Sequence, residues 1–387
     1  MSYQFYLPTR VLFGKGCLNS LHEQKLPGKK ALIVTSGGQS VKKYGYLARL
    51  EKELELGGAQ HVLFDKILPN PIVDHVMEGA ELARREGCDF VVGLGGGSSI
   101  DSAKAIAVMA RNEGHYWDYI SGGSGKGKPV PCDPLPVIAV TTTAGTGTEA
   151  DPWTVITNGK EKIGFGYDGT FPVLSIVDPE LMATVPPRLT AYQGFDALFH
   201  STEGYINTTA NEISDLFALK AISLIGKSLA RAVKDGSDEE ARADVALANT
   251  LSGVVETLSG CTAEHSMEHA LSAYHPNLEH GAGLISISLE YYRYAAACGT
   301  CSNRLVDMAR ALGKQDASSP EDFVEALAEL QKACGVDDIR LSEYGVKEEE
   351  LSDIAANAME TMGGLFQVDP CSYTHSDVLS VLQKSYR

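Results

Sequence analysis

Short runs of apolar and β-branched residues alternate with helical patterns along the first half of the chain. In the helical pattern over residues 71–86, for example, Val76, Ala80 and Ala83 lie on one face. The runs that we predict to be strands are residues 31–35, 61–64, 89–94, 136–140 and 173–177. Strands that alternate with helices favour a parallel sheet covered by helices on both faces. The first half is therefore predicted to form an α/β domain.

The second half shows helical spacing and almost no alternating strand pattern. One of its later helices is predicted to begin near Pro320 and to end before Gly335. A chain of 387 residues is too long for a single domain of about 100–200 residues. We therefore predict an α/β domain at residues 1–187 and an all-α domain at residues 188–387. Two prolines at the boundary disfavour a helix that would run through it.

A glycine turn follows the third predicted strand and leads into a helix. This arrangement directs free backbone N–H groups and the helix dipole at a phosphate group. Only two of the three glycines of the G-x-G-x-x-G fingerprint are present, and a tight structural turn would explain the glycines alone about equally well. The residues predicted to contact a nucleotide here are Gly95, Gly96, Gly97, Ser98 and Asp101.

A threonine-rich loop follows the fourth predicted strand. Residues 141–149 contain five threonines and two glycines, a poor composition for a helix or a core strand. Short hydroxyl groups donate to phosphate and ribose oxygens, and ligands bind at the carboxyl ends of strands in open α/β sheets. Thr141, Thr142 and Thr146 are the predicted contacts, with a plain turn as the alternative. Two such loops together favour a dinucleotide site.

Five of the ten histidines fall within 81 residues of the helical half, and they are His200, His265, His269, His275 and His280. Asp196 and His200 are four residues apart, so a helix presents both on one face, and His265 and His269 repeat this spacing. A carboxylate and several imidazoles from separate helices form a plausible site for a divalent metal with an open position for substrate. Any one of these histidines alone would be read as a core or surface residue.

The charge of the chain argues against two classes of partner. There are 33 Lys and Arg against 50 Asp and Glu, a formal net charge of −17, whereas nucleic acids and anionic membranes bind clustered basic residues. The first residues lack the pattern of a signal peptide, and no apolar run approaches the ~20 residues that span a bilayer. We expect a cytoplasmic protein with no nucleic-acid or membrane partner.

Several motifs together resemble those of the iron-containing, or group III, alcohol dehydrogenase family, in particular its butanol dehydrogenase-like members. The matching segments are residues 8–16, 69–71, 95–107, 141–150, 178–181, 194–205 and 265–281. The resemblance implies an N-terminal dinucleotide-binding domain and a C-terminal helical domain, an architecture shared with dehydroquinate synthase. It also implies that metal and substrate occupy the cleft between the domains.

Taken residue by residue, the resemblance implies a metal site at Asp196, His200, His265 and His280. Fe²⁺ is the expected ion, and Zn²⁺ or another divalent ion could replace it. The active-site histidine beside the nicotinamide falls on His269, and a nucleotide-contacting lysine falls on Lys162. His275 is a rival to His280 because the segment before His280 is one residue longer than in many relatives.

The choice of cofactor depends on the end of the first predicted strand. Many NAD-using relatives carry an acidic residue there, which binds the ribose 2′-hydroxyl and repels a 2′-phosphate, whereas this chain has Ser36. Gly37 and Gly38 would let a nucleotide approach the backbone, and Ser40 can donate its hydroxyl. Lys42 and Lys43 could attract a 2′-phosphate, with a solvated lysine at the start of a helix as the alternative for either. We therefore predict NADP(H), with NAD(H) as the alternative.

These features predict a metal-dependent alcohol dehydrogenase or aldehyde reductase that transfers a hydride between NAD(P)(H) and a small primary alcohol or aldehyde. One alternative is a dehydroquinate synthase-like lyase that also uses NAD and a metal. It would need several Arg and Lys residues for a phosphorylated substrate, and residues 194–205 and 265–281 contain none. A second alternative is a non-catalytic protein that binds metal or nucleotide. We expect a homodimer.

Overall fold

The computed structural model describes residues 3–387. Its strands are β1 (Arg10–Phe13), β2 (Lys30–Ser36), β3 (Gln60–Ile67), β4 (Phe90–Gly95), β5 (Val137–Thr141), β6 (Thr154–Asn158), β7 (Glu161–Phe165) and β8 (Leu174–Val177). Six of them form one sheet in the order β1-β8-β5-β4-β2-β3, and every neighbouring pair is parallel. The remaining two, β6 and β7, form an antiparallel hairpin.

The helices of the first half lie along the sheet. They are α1 (Ser40–Lys43), α2 (Tyr46–Leu56), α3 (Val73–Glu86) and α4 (Gly97–Arg111). Strands β4 and β5 are buried at every position, because separate apolar clusters pack on the two faces of the sheet. The five predicted strands are confirmed as β2, β3, β4, β5 and β8. The sequence pattern missed β1, a four-residue edge strand, and the β6–β7 hairpin.

Only helices and turns follow β8 in the described part of the chain. The α-helices are α5 (Pro187–Ile206), α6 (Glu212–Lys234), α7 (Glu239–Leu258), α8 (Ala263–Tyr274), α9 (His280–Cys298), α10 (Ser302–Leu312), α11 (Glu321–Ala333), α12 (Leu351–Thr361), α13 (Gly363–Val368) and α14 (His375–Ser385). The predicted fold class, an α/β half followed by an all-α half, is confirmed. The predicted division into domains at residue 187 stays a prediction, and α5 begins at that residue.

Helix α5 is the central helix of the second half. Every residue from Gly194 to Ile206 is buried, because α6, α7 and α9 pack around it. A helix that is buried on all sides can carry polar groups only if they have partners. The Asp196 and His200 side chains, which both lie on this helix, are therefore held in a fixed environment.

The two halves meet where the threonine-rich loop touches α7. A Cβ atom on Gly147 would lie 2.4 Å from the backbone nitrogen of Gly253, so only glycine allows the loop and the helix to come this close. The buried Glu149 carboxylate accepts hydrogen bonds from Asn249 at 2.8 Å and Thr250 at 2.7 Å. Across residues 3–387, no helix is both long enough and apolar enough to cross a bilayer.

Candidate active site

A cavity of about 170 Å³ lies between the carboxyl edge of the sheet and the helical half. Its wall combines the glycine turn before α4, the threonine-rich loop, the β6–β7 hairpin and residues of α5, α7, α8 and α9. The predicted site residues that line it are Gly97, Ser98, Asp101, Thr146, Lys162, His200, His265, His269 and His280. The fold therefore brings most of the predicted metal ligands and part of the predicted nucleotide-binding set to one place.

The Asp196 carboxylate lies among three imidazoles. Its Oδ1 atom lies 3.4–3.7 Å from the Nε2 atoms of His200, His265 and His280. Asp196 and His200 come from α5, while His265 comes from α8 and His280 is the first residue of α9. One carboxylate oxygen and three imidazole nitrogens at such spacings form a donor set suited to a divalent transition metal.

Each of these imidazoles is oriented through its other ring nitrogen. Nδ1 of His200 is 3.3 Å from the Gly145 carbonyl oxygen. Nδ1 of His265 contacts the Glu203 carboxylate, and Nδ1 of His280 contacts the Glu268 carboxylate. An acceptor at Nδ1 places the proton there and leaves the Nε2 lone pair available to a metal.

Two buried atoms at the centre of this group have no hydrogen-bond partner in the described chain, and they are Oδ1 of Asp196 and Nε2 of His265. Leaving buried polar atoms unpaired costs roughly 1–3 kcal/mol each. The two atoms are 3.6 Å apart, so one bound ion between them would satisfy both. The residues present therefore fit a divalent metal.

The charge states of the group are set by burial and by neighbouring residues. Burial lowers the pKa of His200 to about 3, so this imidazole is neutral at neutral pH. Burial opposes ionisation of Asp196, yet His200 and His280 hold the pKa of its carboxyl well below the ordinary value. Burial also opposes protonation of His265 and His280, yet Cys261 and Glu203 raise the pKa of His265 and Glu268 raises that of His280. A metal ion would therefore compete with protons at these two imidazoles.

A glycine lets α9 bring His280 close to α5. A Cβ atom on Gly281 would lie only 2.2 Å from the Tyr192 carbonyl oxygen, so a larger residue would push the two helices apart. His275, by contrast, caps the end of α8, and its Nε2 is 3.1 Å from the Glu350 carboxylate. The structure places His280, and not His275, beside Asp196.

The His269 ring lies beside the proposed ligand group but not around Asp196. Its centroid is 5.3 Å from that of His280, and its Nδ1 is 2.8 Å from the Met362 sulfur. Burial, together with the nearby Lys162 ammonium, holds the pKa of His269 well below the ordinary value. A neutral imidazole that faces the cavity can accept a proton from a bound molecule.

Lys162 crosses from the β6–β7 hairpin to α8. Its Nζ is 2.8 Å from the Ser272 hydroxyl and 3.4 Å from the Glu268 carboxylate. The Nζ–Nδ1 distance to His280 is also 3.4 Å. The lysine thus neutralises the carboxylate that orients His280, and its predicted contact with a nucleotide stays a prediction.

The glycine turn and the threonine-rich loop are packed against each other. A Cβ atom on Gly96 would lie 2.9 Å from the Thr143 hydroxyl, and one on Gly97 would lie 2.4 Å from Thr146. Packing is therefore a structural reason for these glycines. Gly97 and Ser98 open the 15-residue helix α4 and line the cavity, where the first N–H groups of a helix are available to an anion.

Among the predicted nucleotide contacts of the two loops, Asp101 and Thr141 have protein partners, as does Ser98, whose hydroxyl donates to the Pro69 carbonyl. Asp101 accepts a hydrogen bond from the Thr148 hydroxyl at 2.7 Å and one from the Val155 backbone at 2.9 Å. The Thr141 hydroxyl donates to the Thr143 carbonyl at 2.8 Å. These two side chains hold the loops around the cavity in place, and Thr142 lies buried beside them.

The segment predicted to approach the ribose, residues 36–40, lies at the carboxyl end of β2. Strand β2 is the neighbour of β4 in the sheet. Gly37, Gly38 and Ser40 are exposed there, although the Gly37 N–H donates to the Ile67 carbonyl at 3.0 Å. Lys42 forms an ion pair with Asp65. Of the two lysines that could attract a 2′-phosphate, Lys42 therefore already has a partner.

Two family models match the chain. The model described as iron-containing alcohol dehydrogenase matches residues 8–179, and the C-terminal model of the Fe-containing alcohol dehydrogenase family matches residues 190–386. This chain belongs to the iron-containing alcohol dehydrogenase family. The family predicted from the motifs is thus confirmed.

Several known proteins are similar to this chain over most or all of its length. The NAD-dependent methanol dehydrogenase of Bacillus methanolicus is 33% identical over 98% of this chain and 99% of its own length. The choline dehydrogenase of Bacillus subtilis is 38% identical over 75% of this chain and 72% of its own length. The archaeal halo-thermophilic Red Sea brine pool alcohol dehydrogenase ADH/D1 is 37% identical with a TM-score of 0.94, covering 100% of this chain and 99% of that one.

Several residues of this iron-containing alcohol dehydrogenase site were missed by the sequence analysis. Glu203 and Glu268 orient two of the histidines, but nothing in the local spacing distinguishes them from ordinary helix glutamates. Trp153, Glu256 and Cys261 line the cavity, and Cys261 lies within 4.8 Å of ring nitrogens of two of the histidines. The signal that could have found Cys261 is its position four residues before His265.

Proposed function

We propose that this protein is a metal-dependent alcohol dehydrogenase or aldehyde reductase. It transfers a hydride between a nicotinamide dinucleotide and a small primary alcohol or aldehyde. The observation that carries the proposal is the group of three Nε2 atoms around Asp196, at the wall of a cavity that also includes the first turn of α4. The names of the relatives above, dehydrogenases of methanol and choline, support the same reaction class for this chain.

In this proposal Asp196, His200, His265 and His280 hold one divalent ion, with Fe²⁺ as the expected metal. When bound, the ion supplies a Lewis acid that polarises the substrate oxygen. Glu203 and Glu268 keep two of the imidazoles in the tautomer that presents Nε2. Lys162 keeps Glu268 ionised by countering its charge.

His269 is proposed to move the proton of the substrate hydroxyl. It is neutral and faces the cavity, and its Nδ1 faces the Met362 sulfur, so its Nε2 is the atom available to accept a proton. A hydride that leaves the carbon of an alcohol must be accompanied by loss of the hydroxyl proton. General base assistance of this kind typically accelerates a reaction by roughly 10²- to 10⁴-fold.

The proposed dinucleotide site begins at the first N–H groups of α4, which face the cavity and suit a pyrophosphate. We propose NADP(H) as the preferred cofactor because Ser36 carries no charge that would repel a 2′-phosphate. The ion pair between Lys42 and Asp65 weakens this preference, since a 2′-phosphate would compete with Asp65 for the Lys42 ammonium. NAD(H) is the alternative, in line with the NAD-dependent relative.

The cavity favours a dehydrogenase over a lyase with a phosphorylated substrate. Lys162 is the only Lys or Arg among its lining residues in the described chain, and its ammonium is already partnered by Glu268. A phosphate in the substrate pocket would therefore meet no free cation. A non-catalytic role is disfavoured because the proposed proton acceptor, three of the four proposed metal ligands and the start of α4 all line one cavity. A homodimer and a cytoplasmic location stay predictions.

The proposal is tested with purified protein loaded with Fe²⁺ under reducing, oxygen-free conditions. Metal content is measured by atomic emission, and oxidation of NADPH and NADH is followed with a panel of short aldehydes. We expect about one metal ion per chain and turnover that disappears when a chelator removes the metal. Stoichiometric metal without turnover of any aldehyde or alcohol would contradict a dehydrogenase and favour a binding role.

A further inference from the structure

Three of the eight cysteines meet at the end of α9, and none of the three lines the active-site cavity. Cys298 is the last residue of α9 and is exposed, whereas Cys301, at the start of α10, and Cys371, between α13 and α14, are buried. The Thr300 hydroxyl oxygen lies 3.3 Å from the sulfur of Cys298 and 3.7 Å from the sulfur of Cys371. An exposed thiol and a buried thiol therefore share one hydroxyl group.

The segment that carries Cys371 is fixed along α9. The Tyr291 hydroxyl donates to the Asp369 carboxylate at 2.7 Å, and the Tyr294 hydroxyl donates at 2.8 Å to the carbonyl oxygen of the residue after Cys371. The Asp369 carboxylate also accepts from the Cys371 backbone N–H at 2.8 Å. Residues 291, 294 and 298 lie on one face of a helix. The docked segment therefore runs along the face of α9 that ends at Cys298.

The Cys371 thiol is in contact with both of the other thiols. Its hydrogen bond with Cys301 lowers the pKa of Cys301 and raises the pKa of Cys371. Partial burial, together with a hydrogen bond to Cys371, raises the pKa of Cys298. Of these three thiols, only Cys298 is exposed to a reagent from solution, and Cys371 is the buried thiol that is held beside it.

We propose that Cys298 and Cys371 form a thiol–disulfide exchange site that reacts with low-molecular-weight disulfides. In the first step the Cys298 thiolate attacks one sulfur of the external disulfide, so that a mixed disulfide forms and one half of the reagent leaves as a thiol. In the second step Cys371 loses its proton and attacks the Cys298 sulfur, and the other half of the reagent leaves. Two protein thiols thus lose two electrons and two protons, and one external disulfide becomes two thiols.

The resulting cross-link would join the end of α9 to the segment before α14. A disulfide between residues 298 and 371 would restrict the unfolded chain between them, which raises stability. Excess thiol should reverse the reaction because Cys298 is exposed. We therefore expect the oxidised protein to melt roughly 2–4 °C above the reduced protein, and dithiothreitol to remove the difference.

The test uses the full-length protein and oxidised glutathione at mildly alkaline pH, where a thiol with a raised pKa still ionises. The protein is digested without reduction, and the peptides are identified by mass. We expect the peptides of Cys298 and Cys371 to be joined and two hydrogens lighter than their sum. Cys132 is the matched control, because it is also exposed but has no hydrogen bond to another cysteine within residues 3–387. It should keep a glutathione adduct.

Three variants separate the two steps. Cys371→Ser removes the second thiol, so it should leave the glutathione adduct on Cys298. Cys298→Ser changes an exposed side chain, which the fold should tolerate, and it should abolish both the cross-link and the rise in melting temperature. Cys132→Ser should remove the control adduct and keep the cross-link.

Several results would overturn the inference. One is a wild-type protein in which Cys132 reacts and Cys298 does not. Another is a glutathione adduct on Cys298 that persists in the wild type as it does in C371S. A disulfide between any other pair, such as Cys298 and Cys301, would show that the pairing is wrong. All of these readouts are masses or melting temperatures, so they do not depend on the proposed dehydrogenase activity.

Discussion

The Oδ1 atom of Asp196 lies 3.4 Å from the Nε2 atom of His280, although one residue is in the middle of α5 and the other begins α9. Two ligands so far apart in sequence meet only because Gly281 lets α9 approach the α5 backbone. The geometry of the proposed metal site therefore depends on helix packing as much as on the ligand residues themselves.

His280→Ala should abolish activity and lower metal content, because it removes one of the imidazoles around Asp196. His275→Ala is the matched control, since His275 is paired with Glu350 and lies outside the group. Atomic emission of the purified variants, each loaded in the same way with Fe²⁺, measures the difference. Loss of metal in H275A and retention in H280A would show that the ligand assignment is wrong.

His269→Ala should lower kcat by roughly 10²- to 10⁴-fold, the usual range for loss of a general base. Bound metal should stay near one ion per chain, because His269 does not face Asp196. Steady-state kinetics and metal analysis on one preparation give both quantities. An H269A protein without metal would place His269 among the ligands.

Ser36→Asp should shift the ratio of kcat/KM from NADPH towards NADH by about tenfold or more, because a carboxylate there would repel a 2′-phosphate. Asp65→Asn should shift it in the opposite direction, since it releases Lys42 from its ion pair. Wild-type kinetics with both cofactors set the reference. A wild-type preference for NADH that S36D leaves untouched would contradict the choice of NADP(H).

Gly281→Ala should destabilise the protein by roughly 1–3 kcal/mol, the usual cost of overpacking, because the added methyl group would meet the Tyr192 carbonyl at 2.2 Å. We also expect weaker metal binding, since α9 carries His280. Gly363→Ala is the control, because a Cβ there meets nothing within 4 Å. Thermal unfolding and metal titration report the two effects, and equal melting temperatures for the two variants would refute the packing argument.

Glu149→Gln should change how stability depends on pH. Burial raises the pKa of Glu149 to about 7 from its usual 4.5, so the folded state favours the protonated carboxyl. The stability contributed in this way is complete below pH 4.5 and is lost as the pH rises through about 7. Relative to E149Q, the wild-type free energy of unfolding should therefore fall by up to about 3 kcal/mol between pH 5 and pH 8. Denaturant unfolding at both pH values measures this, and parallel curves for the two proteins would contradict it.

The main sheet strands were predictable from sequence because a strand buried on both faces leaves a continuous apolar run. This was the case for β4 and β5. The edge strand β1 and the β6–β7 hairpin were not predictable, because an exposed or half-buried strand has no such run. Lys162 was identified by resemblance alone, and only the hairpin geometry explains how it reaches Glu268 on α8.

Local sequence by itself determined the fold class, the glycine turn at a strand end and the helical spacing that puts Asp196 and His200 on one face. These are short-range properties, because backbone periodicity and turn chemistry act over a few residues. The tertiary structure alone decided that His280 and not His275 faces Asp196, and that Glu203 and Glu268 orient two of the imidazoles. Those relationships depend on the packing of separate helices, and no spacing along a single helix encodes them.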